Sequence, residues 1–175
     1  EYLKIAKRNN IQVKFVNTDD INSREVVKYL MNNKIKHFIY SGYASKIIRS
    51  IPLLKSKHLI HAHSGKIPEF KGSTTIFYTI LQNKPIYCSV FRMNRFIDGG
   101  KLITAQKFKM TNDDLKNFDN FDNRLRIYSI IRALKKNFKT IKKKINNKNI
   151  LDYHVAHPII RALAKQKLKK INKAH

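Results

Sequence analysis

The sequence predicts an α/β domain with a mainly parallel sheet, followed by a basic helical rear. Three observations carry this. Short apolar runs with strand character alternate with helix-period segments over the first 110 residues. Tight Gly-containing turns punctuate them. The last 52 residues have a 3.6-residue apolar period and almost no acid.

The elements follow in order. Ile11, Val13 and Phe15 alternate with polar residues and predict a strand over 11–16. Asn22 or Ser23 caps a helix with an apolar face of Val26, Val27, Leu30 and Met31. His37–Tyr40 is a short buried-type strand that ends at Ser41-Gly42. Residues 44–51 read as a helix stopped before Pro52. His58–His63 is a strand running into Ser64-Gly65, and Ser73 or Thr74 caps a helix through Leu81. Strands follow over 87–93 and 101–108. In the rear, Ile127, Ile130, Ile131, Leu134, Phe138, Ile141 and Ile145 form one helical face, and Asn146–Asn149 breaks the helix. A last helix starts near Pro158 and runs through Leu163 and Leu168 to Ile171. The division expected is 1–110 for the domain that carries the chemistry and 111–175 for a helical extension packed on it.

Composition bounds the function. The 175 residues hold 37 Lys plus Arg against 11 Asp plus Glu, a net charge of +26. Such a charge invites a nucleic-acid partner. However, 28 Lys, 24 Ile and 17 Asn rise together while Arg numbers only 9. Those three residues share A/T-rich codons, so codon bias takes the larger share of the explanation. The charge is also uneven: residues 1–123 carry a net +11 and residues 124–175 a net +15. No apolar run reaches the roughly 18 residues that span a bilayer, so no membrane partner is expected. One cysteine, Cys88, rules out an internal disulfide framework and fits the cytoplasm.

Three short segments carry chemistry. His61 and His63 share a face at the end of a strand, where ligands of open α/β sheets bind. Two imidazoles there can do acid–base work or hold a metal, and no further ligand pattern supports the metal. A satisfied structural histidine pair is the plain alternative. Asp98 lies in the Ile97-Asp98-Gly99-Gly100 turn, where glycines let a ligand approach; taken alone, an ordinary hairpin turn is the better reading. Gly42-Tyr43-Ala44 follows a strand and leaves backbone amides open.

In register, these segments resemble the catalytic domain of the folate-dependent formyltransferases, from about residue 1 to 109. His61-Ala-His63 falls on that family's Asn-x-His, and Lys66-Ile-Pro68-Glu-Phe-Lys71-Gly72 on its Pro-x-x-Arg-Gly stretch. Ile97-Asp98-Gly99-Gly100 falls on its Asp loop, and Gly42-Tyr43-Ala44 on its folate-pocket turn. Tyr153-His154-Val-Ala-His157-Pro158 loosely resembles a Tyr-Tyr-x-x-His-Pro ending found in some relatives, and equally fits a helix entry. The resemblance implies a Rossmann-like fold and transfer of a formyl group from 10-formyltetrahydrofolate to an amine, with no metal. It implies His61, His63 and Asp98 as catalytic residues. Gly42, Tyr43, Ala44, Ile97, Gly99 and Gly100 would contact the folate, and Lys66, Lys71 and Gly72 the acceptor. The acceptor expected is a small amine, foremost an amino sugar on a nucleotide. Methionyl-tRNA, with tRNA as partner, is the alternative within the class, and an inactive relative or a basic nucleic-acid-binding module lies outside it. The chain departs from the family at His61, where Asn is usual, and at Lys71, where Arg is usual. The family's first strand and glycine loop are expected upstream of Glu1.

Overall fold

The computed structural model describes residues 1–42, 47–141 and 152–173. A four-stranded sheet has the order β1 (His37–Tyr40), β2 (His58–His63), β3 (Ile86–Arg92), β4 (Lys101–Phe108). The helices are α1 (Tyr2–Arg8), α2 (Arg24–Asn32), α3 (Ile51–Ser56), α4 (Thr75–Leu81), α5 (Asn112–Lys116), α6 (Phe118–Lys135) and α7 (Pro158–Lys173).

The α/β class stands, and the pairing inside the sheet differs from expectation. Only β1 and β2 run parallel; β2–β3 and β3–β4 are antiparallel. The reason is local. Residues 93–100 join β3 to β4 through a loop too short for a crossover, so the chain must turn back on itself. Arg92 faces Lys101 at the base of this turn, and a bulge falls between Val90 and Phe91.

β2 is the central element. Its residues are buried on both faces from Leu59 onward. On one face Ile60, Ala62, Cys88 and Val90 pack under α4, α6 and α7. On the other, Leu59 and Phe91 pack with Ile48, Leu53, Ile67 and Met93. Burying a side chain such as Leu59 or Phe121 contributes about 1.5–3 kcal/mol each. This double burial fixes β2, and with it the histidines at its end.

Three element assignments need correction. Residues 11–16 form no strand; Ile11, Val13 and Phe15 are exposed and pair with no ladder. Alternation alone does not hold a strand without a partner. The helix expected to stop before Pro52 instead starts there: Ser50 caps α3 by accepting from Leu53 N, and Pro52 sits in its first turn. Residues 43–46 lie outside the described residues. In the rear, α6 begins at Phe118, nine residues earlier than the Ile127 period implies, and ends at Lys135. Its buried stripe is Phe121, Leu125, Ser129 and Ala133, while Ile127, Ile131 and Leu134 are exposed. The small Ser129 and Ala133 let the helix approach the sheet closely. Ile145 and the Asn146–Asn149 break lie outside the described residues.

The remaining elements lie where expected, although β1 is exposed or half-buried along its length instead of buried, and Thr74 ahead of α4 makes no side-chain cap bond. Ser23 caps α2 by accepting from Val26 N. α7 starts at Pro158 and buries Ala164 and Leu168. A capping box at Thr111 and Asp114 opens α5, and Arg124 on α6 pairs with Asp114. No helix among the described residues is long and apolar enough to cross a membrane.

Candidate active site

β2 ends in His61 and His63, and the chain then doubles back through Ser64 and Gly65. Three segments converge on this strand end. One is the 64–75 loop, another is the β3–β4 turn, and the third is the 152–157 stretch ahead of α7.

His63 is 5% exposed. Its Nε2 lies 2.7 Å from the Phe70 carbonyl, so Nε2 carries hydrogen and donates. Its Nδ1 lies 3.4 Å from Asp98 Oδ2. Gly65 makes this packing feasible: a Cβ there would sit 2.5 Å from His63 Nε2. Asp98 adopts a left-handed φ of 45°, which turns its carboxylate inward. Its Oδ2 also accepts from Gly72 N at 2.8 Å. The hairpin turn therefore has a second role, bringing a carboxylate to the end of a strand two positions away in the sheet.

His61 is fixed differently. Its Nδ1 is 3.0 Å from the Tyr40 carbonyl at the end of β1, so Nδ1 bears the hydrogen and Nε2 bears a lone pair. Burial pushes its pKa below the ordinary 6.5. The Tyr40 bond and Asp98 oppose that shift, Arg126 and His63 add to it, and the net direction is down. The ring is neutral near pH 7, with Nε2 available as a proton acceptor.

His61, His63 and Asp98 line one cavity of about 250 Å³ with Ser64, Gly72 and residues of α4 and α6. The Ser64 hydroxyl oxygen is buried there without a hydrogen-bond partner among the described residues. Native structures rarely leave such a group unpaired, so it marks a place for a polar ligand atom. Aromatic Phe77 and Phe118 stack at 4.4 Å on one side of the cavity.

Several lining residues escaped the sequence reading. Arg126 on α6 reaches Ala62 O at 3.0 Å through Nη1 and Asp122 at 2.7 Å through Nε. Arg161 on α7 donates to Ala156 O at 2.9 Å and lies over the Phe77 ring. Both belong to the rear, where charge read as a solvated coat. The i, i+4 spacing of Asp122 and Arg126 was the available signal. Tyr153 clamps the loop that carries Gly72. It stacks on Phe70 at 5.4 Å, exchanges backbone bonds with Lys71 and Ser73, and its hydroxyl accepts from Gln82.

The structure separates other expected site residues from the cavity. Lys66 is on the surface, paired with Glu69 at 2.7 Å. Lys71 is buried and paired with Asp152 at 3.2 Å. Of the three residues expected to meet the acceptor, only Gly72 lines the cavity. Ile97, Gly99 and Gly100 shape the Asp98 turn without lining it; a Cβ on Gly100 would overlap the Arg92 carbonyl. Gly42 lies against the Tyr40 ring, and Tyr43 and Ala44 lie outside the described residues. Among the described residues, no group of three or more His, Cys, Asp or Glu side chains is placed to hold a metal ion.

No protein-family model and no curated protein matches the sequence. Solved structures do. A sugar N-formyltransferase from a Shewanella species superposes with a TM-score of 0.61 at 14% identity, over 85% of this chain and 65% of that one. The chain has the formyltransferase fold. The formyltransferase PseJ from Anoxybacillus kamchatkensis, solved with UDP-4,6-dideoxy-4-formamido-L-AltNAc and tetrahydrofolate, gives 0.61 at 15% identity over 97% of this chain and 84% of that one. Methionyl-tRNA formyltransferase from Clostridium thermocellum gives 0.60 at 16% identity, covering 90% of this chain and 67% of that one. At about two thirds of the Shewanella enzyme's length, the chain keeps enough of the formyltransferase fold to place His61, His63 and Asp98 around one cavity.

Proposed function

We propose that the chain is an N-formyltransferase that passes a formyl group from 10-formyltetrahydrofolate to the amine of a small acceptor, foremost an amino sugar carried on a nucleotide. The observation that carries it is the convergence of His61, His63 and Asp98 on one cavity with an unpaired buried hydroxyl, within a formyltransferase fold. The residues present fit the donor's reacting end. The cavity offers Ser64 Oγ as a polar contact and Phe77 and Phe118 as an aromatic wall. At about 250 Å³ it is smaller than pockets that enclose a whole drug-sized ligand, so it houses the reacting groups and leaves the remainder outside.

When bound, the donor supplies an activated formyl carbon. The chain's own residues do the rest. His61 Nε2 takes the proton the amine loses on bonding to that carbon, and returns it to the nitrogen that departs. A neutral imidazole is the form this needs, and burial keeps it so. His63, released from the Phe70 carbonyl, donates Nε2–H toward the negative charge on the formyl oxygen. Asp98 stays at Nδ1, anchored by Gly72 N–H; with a proton on that nitrogen too, the carboxylate accepts it and holds the ring positive while Nε2–H faces the formyl oxygen. Arg126 holds the Ala62 carbonyl and so fixes the strand end between the two histidines.

The test is direct. The purified protein is incubated with 10-formyltetrahydrofolate and a panel of amino-sugar nucleotides, and formylated product is sought by mass spectrometry. Product that disappears in His63→Ala and Asp98→Ala supports the proposal. Formylation of methionyl-tRNA and of no sugar would move the acceptor to tRNA. Failure to bind a folate analogue, with no formylated product of either kind, would sink the proposal.

A further inference from the structure

The other end of β2 carries a second cluster, separate from the cavity above. His37 opens β1, His58 opens β2, and the two are direct partners in the parallel register. His58 Nδ1 lies 3.0 Å from His37 Nε2. Phe138 stacks on His37 at 5.4 Å. Arg92 at the end of β3, Lys139 and Thr140 complete the walls of a cavity of about 400 Å³. His58 and His63 are five residues apart on an extended strand, so this cavity lies roughly 16 Å from His63.

The electrical character of the cavity is one-sided. Its described lining residues include Arg92, Lys139 and two histidines, and no acid. The Arg92 Nε is buried and has no hydrogen-bond partner among the described residues. A buried guanidinium N–H without an acceptor is costly, and the acceptors that suit it are carboxylate and phosphate oxygens. The histidine pair adds an adjustable charge. One ring donates across the 3.0 Å contact and the other accepts, so the pair holds at most one positive charge while the bond lasts. Burial, Arg92 and Lys36 all push His37 toward its neutral form. An anion placed beside Arg92 reverses that bias and draws a proton onto the pair. A metal ion fits poorly here. Two ring nitrogens are spent on each other, no carboxylate or thiolate is among the described lining residues, and a guanidinium already occupies the wall.

We propose that this cavity is a binding site for a phosphate-class oxyanion, either inorganic phosphate or the phosphoryl group of a small organic ester, held by Arg92, Lys139 and the His37–His58 pair. Ile60 and Phe138 give it an apolar side against which an organic body would rest.

The experiment is a titration of the purified protein with inorganic phosphate at fixed ionic strength, followed by imidazole ¹H–¹⁵N resonances. His37 and His58 are expected to shift together and saturate with one dissociation constant. Arg92→Met should weaken binding about tenfold or more, as expected for loss of a charge-assisted bond. Lys139→Gln should weaken it about threefold, as for an exposed charge. Lys135→Gln, an exposed lysine on α6 outside the cavity, should leave it unchanged. Should Arg92→Met fail to fold, His37→Gln and Lys139→Gln decide the matter, since both positions are exposed. Phenyl phosphate binding as tightly as phosphate would identify an ester; binding of inorganic phosphate alone would identify the free anion. A response that never saturates, or that Lys135→Gln weakens as much as the cavity variants do, would reduce the site to the general lysine coat and overturn the proposal.

Discussion

Asp98→Asn is the sharpest probe of the catalytic reading. The substitution keeps the size and an oxygen that can still accept from Gly72 N, and removes one negative charge. That charge lies 3.4 Å from His63 Nδ1, with the two side chains 10% and 6% exposed. At an effective dielectric of 20, two full charges at this separation interact by about 5 kcal/mol. Part of that attraction already acts before the formyl oxygen turns negative, so about half of that energy or more bears on the barrier. Each 1.36 kcal/mol or so is tenfold in rate, which gives a loss of about 100- to 1000-fold in kcat. Stability should change less than the rate, because the Asn oxygen still accepts from Gly72 N. Steady-state formyl transfer measured beside denaturant unfolding separates the two effects. A variant that keeps the parent's stability and stays within about threefold of its rate would refute the assignment of Asp98 to the His63 charge.

Other outcomes follow from the same geometry. His61 has a folded pKa below its ordinary 6.5, so its contribution to stability is full above 6.5 and is lost as pH falls from 6.5 through the folded value. Resistance to urea unfolding should therefore fall as pH drops below 6.5, and His61→Gln should flatten that slope. At Asp114 burial raises the pKa, but the Thr111 bonds and Arg124 outweigh it and hold the group below 3.8; its share of stability is lost as pH falls from 3.8 through that lower value, more steeply than in Asp114→Asn. Cys88 is fully buried and burial pushes its thiol up to about 12, so iodoacetamide should label it only as fast as the domain opens; rapid labelling of the folded protein would contradict the core described above. Gly72 has a φ of 98°, and a Cβ there would meet Tyr153 N at 2.8 Å, so Gly72→Ala should cost about 2–4 kcal/mol in denaturant unfolding and fail if Tyr153 simply shifts aside.

The legible parts of the fold were those decided locally. β2 announced itself by an apolar run, and Ser64-Gly65 marked its end, so the facing of His61 and His63 followed from period two alone. Asp98 was legible as a turn residue. Its pairing with His63 came with the family resemblance and not from local pattern, because the contact depends on β3 lying beside β2 in the sheet. The missed residues depend on distant packing. Arg126 and Asp122 reach the cavity because α6 docks through Phe121, Leu125, Ser129 and Ala133. Two of those four are small and weakly apolar, so the isoleucines one face over dominated the periodicity. Lys66 and Lys71 looked like acceptor contacts by proximity in sequence. Glu69 and Asp152 claim them instead, and Asp152 is the one acid in a stretch of 52 residues.

On the proposed function, His61 in place of the expected asparagine exchanges the role of that position. The asparagine that the family resemblance expects at this position would offer an amide N–H toward the cavity. Here the end of β1 is hydrogen-bonded to the ring through the Tyr40 carbonyl, which consumes the Nδ1 proton. What remains toward the cavity is a lone pair. The position thus changes from hydrogen-bond donor to acceptor, and burial secures the change by disfavouring the charged ring that could donate from both nitrogens. A site that stabilises negative charge must then find its donor elsewhere, and His63 Nε2–H is the group on the same strand face able to supply it once it leaves the Phe70 carbonyl. On the proposed function, the proton acceptor and the charge stabiliser are two neighbouring histidines held by two different carbonyls. The overall +26 takes little part in this, since the charges that set the arrangement are Asp98 and Arg126, one of each sign, facing the same strand end.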